Sequence, residues 1–124
     1  MQKKQTMLIV DDEEINRIIL TDYFHKEFNL LEAADGQEAL DYVYGRPVDI
    51  ILLDLMMPRL NGFAALDTIK AAPRCRNIPI VVTTGTEDNK SEALSMEKGA
   101  ADYITKPYNP VVVRCRSFKT PKAK

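Results

Sequence analysis

Three carboxylates, a hydroxyl and an ammonium stand out because each lies at or just beyond the end of a short apolar run. Asp11 and Asp12 come directly after residues 7–10 (MLIV), and Asp54 comes after residues 50–53 (IILL). Thr83 and Thr84 follow residues 80–82 (IVV), and Lys106 with Pro107 closes a weaker run at 101–104. Taken singly, an aspartate in such a place caps a helix or makes a turn, and a Lys-Pro pair is a solvated turn. Brought together they mean something else. Clustered carboxylates repel one another unless a cation sits among them. Oxygen-only ligands with room for water favour Mg²⁺, with Mn²⁺ able to take its place, held by one or two carboxylates plus phosphate oxygens.

Whether the groups meet depends on the elements that carry them. The runs at 7–10, 50–53 and 80–82 are continuous and rich in branched residues, as in strands buried on both faces, and 30–34 and 101–104 are weaker strand candidates. Amphipathic stretches lie between them. Ile15, Ile18, Ile19 and Tyr23 have helical spacing, as do Ala39, Leu40 and Val43, and then Phe63, Leu66 and Ile69. Asn89 with Glu92 resembles a capping box opening a fourth helix. For a fifth helix, Asn109 and Pro110 look like an N-cap and first-turn proline before Val111, Cys115 and Phe118. Val111, Val113 and Cys115 would also suit a strand, but a fifth parallel strand needs a helix to cover it.

Strand and helix thus alternate five times. That order predicts a parallel sheet with helices on both faces and right-handed crossovers. Ligand sites in such sheets form beyond the C-terminal ends of the strands. On that map Asp11, Asp12, Asp54, Thr84 and Lys106 share one rim.

Composition narrows the rest. The chain has 124 residues, enough for one domain with a core drawn from 45% apolar residues and too few for two ordinary domains. A net charge of −1 argues against direct nucleic-acid binding. The sum hides an asymmetry, because residues 103–124 carry six basic residues and no acid. No apolar run resembles an export signal or a membrane span, so the expectation is a cytoplasmic domain with no membrane partner. Cys75 and Cys115 then read as thiols rather than a disulfide. His25 reads as a surface residue of the first helix.

The segments LIVDDE (8–13), DIILLDLMMPRLNG (49–62), IPIVVTTG (78–85) and GAADYITKP (99–107) resemble the receiver domain of two-component response regulators. The likeness runs from about residue 7 to 118, with 119–124 as a tail or the start of a linker. It implies a doubly wound, flavodoxin-like α/β fold: a five-stranded parallel sheet of order 2-1-3-4-5 with five helices, in one domain over residues 1–124.

The same resemblance implies roles. Asp54 would be the phosphoacceptor, taking a phosphoryl group from a sensor histidine kinase or a phosphotransfer protein. Asp12, Asp54 and the backbone carbonyl of Met56 would ligate Mg²⁺, with Asp11 acting mainly through water. Lys106 would pair with a phosphoryl oxygen, aimed by a cis Lys106–Pro107 peptide. Thr84 would bind the new phosphoryl group and Tyr103 would turn inward, shifting a two-state element over roughly residues 84–104. Met56 and Thr86 occupy positions that tune loss of the phosphoryl group. Neither is acidic or amide-bearing, which implies slow self-dephosphorylation. A phosphorylation-dependent homodimer is a tendency of the family. Such a domain signals and is not a classical enzyme.

The main alternative is a Mg²⁺-dependent phosphatase or phosphotransferase with an aspartyl nucleophile. Hydrolases of the haloacid-dehalogenase type place a second Asp two residues after the nucleophile, and here that position is Met56, which cannot move protons. A nucleotide-binding reading lacks a Gly-rich loop after the first strand. A degenerate docking module would not need the intact set of Asp11, Asp12, Asp54, Thr84 and Lys106.

Overall fold

A computed structural model describes residues 4–55, 62–84 and 89–105. Its elements run β1 (Gln5–Val10), α1 (Glu14–Phe24), β2 (Phe28–Ala33), α2 (Gly36–Gly45), β3 (Ile50–Asp54), α3 (Gly62–Ala71), β4 (Ile80–Thr84), α4 (Asn89–Glu97) and β5 (Asp102–Thr105). A short 3-10 turn at Pro73–Cys75, which the sequence reading does not anticipate, follows α3. The strands form one parallel sheet of order β2-β1-β3-β4-β5, the expected doubly wound order. The expected fifth helix lies outside the described residues. No helix among the described residues is long and apolar enough to cross a membrane.

Side-chain alternation explains why the strand sequences read as unbroken apolar runs. Leu8, Val10, Ile51, Leu53, Ile80 and Val82 enter one core, while Met7, Ile9, Ile50, Leu52 and Val81 enter the other. Both faces of the central strands are therefore buried, and period two leaves no polar positions. The first core is closed by Ala39 and Val43 of α2 and by Leu66 and Ile69 of α3. Gly36 lets α2 approach α3, since a Cβ there would stand 3.3 Å from the Cβ of Ala65. Leu20 and Phe24 of α1 close the second core, with Phe24 edge-on to Phe28 at 5.7 Å.

The face of α1 differs from expectation. Ile15 and Ile18 are exposed, at 59% and 50%, and Leu20 and Phe24 point inward. Arg17, Leu20 and Phe24 fall within one narrow arc at 100° per residue, and Ile15 falls opposite it. The strand expected at 30–34 begins earlier, at Phe28, and the one expected at 101–104 is Asp102–Thr105. A helix does open at Asn89, although the side chains of Asn89 and Glu92 lie outside the described residues.

Helix ends set the loops between core and rim. The Asp35 side chain caps α2 by accepting from the Glu38 N–H at 2.8 Å. Gly99, with φ of 99°, ends α4 in a Schellman turn: its N–H donates to the Met96 carbonyl and that of Ala100 to the Ser95 carbonyl. The chain then enters β5, with the Ala101 N–H donating to Ile80.

Candidate functional site

Parallel register builds the acidic cluster. Val10 pairs with Leu53, so Asp11 and Asp54, each one residue further on, emerge side by side at the C-terminal edge of the sheet. Carboxylate oxygens of Asp11, Asp12 and Asp54 lie within 4.8 Å of one another. Asp11 and Asp54 are 1% and 2% exposed, and Asp12 is half-buried. These aspartates are not helix caps. The residue before α1 is Glu13, which makes no side-chain cap, and Oδ1 of Asp11 instead accepts from the Glu13 N–H at 2.9 Å.

The β1–α1 turn is anchored to its neighbours. The Asp11 N–H donates to the Ala33 carbonyl of β2 at 3.0 Å, and Nη1 of Arg17 donates to the Asp11 carbonyl. Across the site, Thr83 Oγ1 donates to Oδ1 of Asp54 at 3.2 Å, and the Leu55 N–H donates to the Thr83 carbonyl. Asp54 and Thr83 are register partners, which is why their side chains share a face.

The donor set suits a small hard cation. All three ligand groups are carboxylates, and Oδ1 of Asp12 is buried with no hydrogen-bond donor among the described residues. Burying such an atom is costly unless something positive meets it. Asp11, Asp12 and Asp54 could therefore hold a divalent metal, as their residue types suggest.

The other expected site residues divide. Tyr103 sits on β5, partly buried against the first core, with its N–H held by the Asp102 carboxylate at 2.8 Å. Thr84 ends β4 and pairs with Thr105, but its side chain lies outside the described residues. Met56, Thr86, Lys106 and Pro107 also lie outside them. His25 is exposed beyond the C-terminal end of α1, where its carbonyl accepts from Lys4, so it sits at the sheet edge opposite the carboxylates. Sequence reasoning assigns no role to Thr83 or Arg17. The tandem threonine was visible at the end of β4, and knowing the register of β3 and β4 would have placed Thr83 beside Asp54. Arg17 carries no comparable signal.

Comparison with known proteins agrees with this architecture. The response regulator receiver domain family model matches residues 7–115. The transcriptional regulatory protein CpxR of Escherichia coli (strain K12) is 36% identical over 115 residues, covering 90% of this chain and 48% of its own length. The chain spans only 25–48% of the length of the curated relatives it matches. The receiver domain of NtrX from Brucella abortus superposes with a TM-score of 0.81 at 28% identity, covering 93% of this chain and 99% of that one. The receiver domain of sensor histidine kinase PA1611 from Pseudomonas aeruginosa PAO1, with a magnesium ion coordinated in its active-site cleft, shares the fold. Its TM-score is 0.83 at 24% identity, covering 95% of this chain and 98% of that one. A sheet in the order β2-β1-β3-β4-β5, an acidic cluster on its C-terminal edge and a family match over residues 7–115 place the chain in the response regulator receiver domain family.

Proposed function

We propose that Asp54 is the phosphoacceptor of this receiver domain and that a phosphohistidine of a sensor histidine kinase or phosphotransfer protein is the donor. The observation that carries the reading is the burial of Asp54 at the end of β3, with oxygens of Asp11 and Asp12 within 4.8 Å. A carboxylate oxygen of Asp54 attacks phosphorus as the P–N bond to the donor imidazole breaks, leaving an acyl phosphate on Asp54. Asp11, Asp12 and Asp54 would hold Mg²⁺, with the Met56 carbonyl as a further ligand. Bound there, the cation offsets charge on the phosphoryl oxygens. Thr83, hydrogen-bonded to Asp54, helps to hold the carboxylate in place.

Downstream of transfer, Thr84 and Lys106 bind the phosphoryl oxygens and Tyr103 reports the change, shifting the element that contains α4. The partial burial of Tyr103 against the first core suits an aromatic with two packing positions. Neither Met56 nor Thr86 is acidic or amide-bearing, so neither readily orients an attacking water, which favours a long-lived phosphoryl group. The phosphatase alternative has no acid or base at position 56, where the thioether of Met56 stands.

The test is incubation with Mg²⁺ and acetyl phosphate followed by intact-mass measurement. The parent chain is expected to gain one phosphoryl group, and Asp54→Asn none. An adduct that survives Asp54→Asn, in a variant whose circular dichroism matches the parent, overturns the assignment.

A further inference from the structure

The peptide that joins Asp11 to Asp12 is the one through which both carboxylates are aimed, and its oxygen accepts from Nη1 of Arg17. The same guanidinium donates from Nε to Oε1 of Glu32 on β2 at 3.1 Å, and the Arg17 side chain is only 16% exposed. β2 also takes the Asp11 N–H, at the Ala33 carbonyl. Both main-chain groups of Asp11 are therefore tied to β2, one directly and one through Arg17. The contact uses the carbonyl, so it takes no carboxylate oxygen away from the site.

We infer that Arg17, locked by Glu32, is a positioning residue that sets the affinity of the acidic site for its divalent cation by fixing the Asp11–Asp12 peptide. The inference rests on the reading of that site given above. Groups that orient metal ligands without touching the metal typically change affinity by about 10- to 100-fold when lost. A planar fork suits this task, because one guanidinium can hold a carbonyl and a carboxylate in fixed relative positions, whereas an ammonium is a point donor on a flexible stem.

Charge and position predict opposite signs here. A cation beside a divalent metal site repels the metal, so removing Arg17 would strengthen binding if charge alone mattered. If Arg17 acts by position, removing it weakens binding.

Isothermal titration with Mg²⁺ on the full chain, for parent, Arg17→Met and Arg17→Lys, separates the two. Thermal melting of each metal-free chain runs alongside. Arg17→Met is expected to bind Mg²⁺ about tenfold more weakly, with Arg17→Lys between it and the parent. A purely structural arginine would lower the metal-free melting temperature and leave Mg²⁺ affinity unchanged. Unchanged or tighter binding by Arg17→Met overturns the inference. Where Arg17→Met does not fold, Arg17→Lys decides, since it keeps charge and stem but loses the fork: severalfold weaker binding supports positioning, and parental affinity overturns it. A parent chain that binds no Mg²⁺ overturns the reading of the site itself, a result distinct from equal affinity in parent and variants.

Discussion

The Thr83 hydroxyl on β4 donates to Oδ1 of Asp54 on β3 at 3.2 Å, and both residues are 2% exposed. A hydrogen bond to a buried carboxylate is worth more than one between neutral groups, on the order of 1.5–3 kcal/mol. Thr83→Val keeps the β-branched shape and removes the donor. It is expected to lower the unfolding free energy by about that amount in urea denaturation at neutral pH, and Thr83→Ser to retain most of it. A Thr83→Val chain as stable as the parent would show that the bond contributes nothing net.

Asp12 makes the second prediction. Three carboxylates within 4.8 Å repel in the absence of a counter-charge, so Mg²⁺ should stabilise the fold as well as serve the chemistry. A ligand that binds only the native state adds RT ln(1 + [L]/Kd), about 2.7 kcal/mol at a hundredfold excess over Kd. The parent is expected to melt higher as Mg²⁺ rises, while Asp12→Asn starts more stable without metal and gains less from it. Differential scanning calorimetry across a Mg²⁺ series checks both halves. An Asp12→Asn chain that responds to Mg²⁺ as the parent does would place the cation elsewhere.

Cys75 supplies a pH dependence. Burial pushes its thiol above the ordinary value, with Lys70 and Arg74 opposing the shift. The native state therefore keeps a proton that the unfolded chain releases, so this group's stabilising contribution is present at neutral pH and is lost as pH rises through the alkaline range. In a Cys115→Ser background, urea midpoints are expected to fall more steeply with alkaline pH than in the same chain carrying Cys75→Ala. The buried thiol should also resist a disulfide reagent until the chain is unfolded. Equal slopes with and without the Cys75 sulfur would refute the shift.

Much of this architecture is legible from residue order, and the exceptions have physical causes. Residues 7–10, 50–53 and 80–82 read as doubly buried strands because no period-two polar position interrupts them, and all three are strands. The acidic rim follows from strand ends, since parallel register then leaves Asp11 and Asp54 adjacent. On α1, Tyr23 of the expected face does pack against the second core, whereas Ile15 and Ile18 face solvent and Arg17, which hydropathy ranks below them, lays its stem on the buried arc while its head reaches Asp11 and Glu32. Hydropathy scores a residue as a whole, whereas an arginine is buried along its stem and polar at its tip. Thr83 carries no local signal either: its partner is 29 residues away, and only the offset between β3 and β4 brings them together.

Gly99 is where backbone and packing constraints coincide. Its φ of 99° lies in the region that L side chains rarely adopt, and a Cβ there would stand 2.9 Å from Cε of Lys70. The two costs can be separated. The backbone part is intrinsic to any non-glycine residue, about 1–2 kcal/mol, and the steric part is cheap if the flexible lysine stem moves aside. Gly99→Ala is expected to destabilise the chain by roughly that backbone amount plus a small remainder, read from urea unfolding. In a Lys70→Ala background the clash partner is gone, so Gly99→Ala should cost the backbone part alone. A double-mutant cycle then yields a coupling energy equal to the steric part. If Gly99→Ala costs the same in both backgrounds, Lys70 gives way freely and the glycine is required by the Schellman turn alone. If the cost vanishes with Lys70→Ala, the left-handed conformation is not what demands glycine.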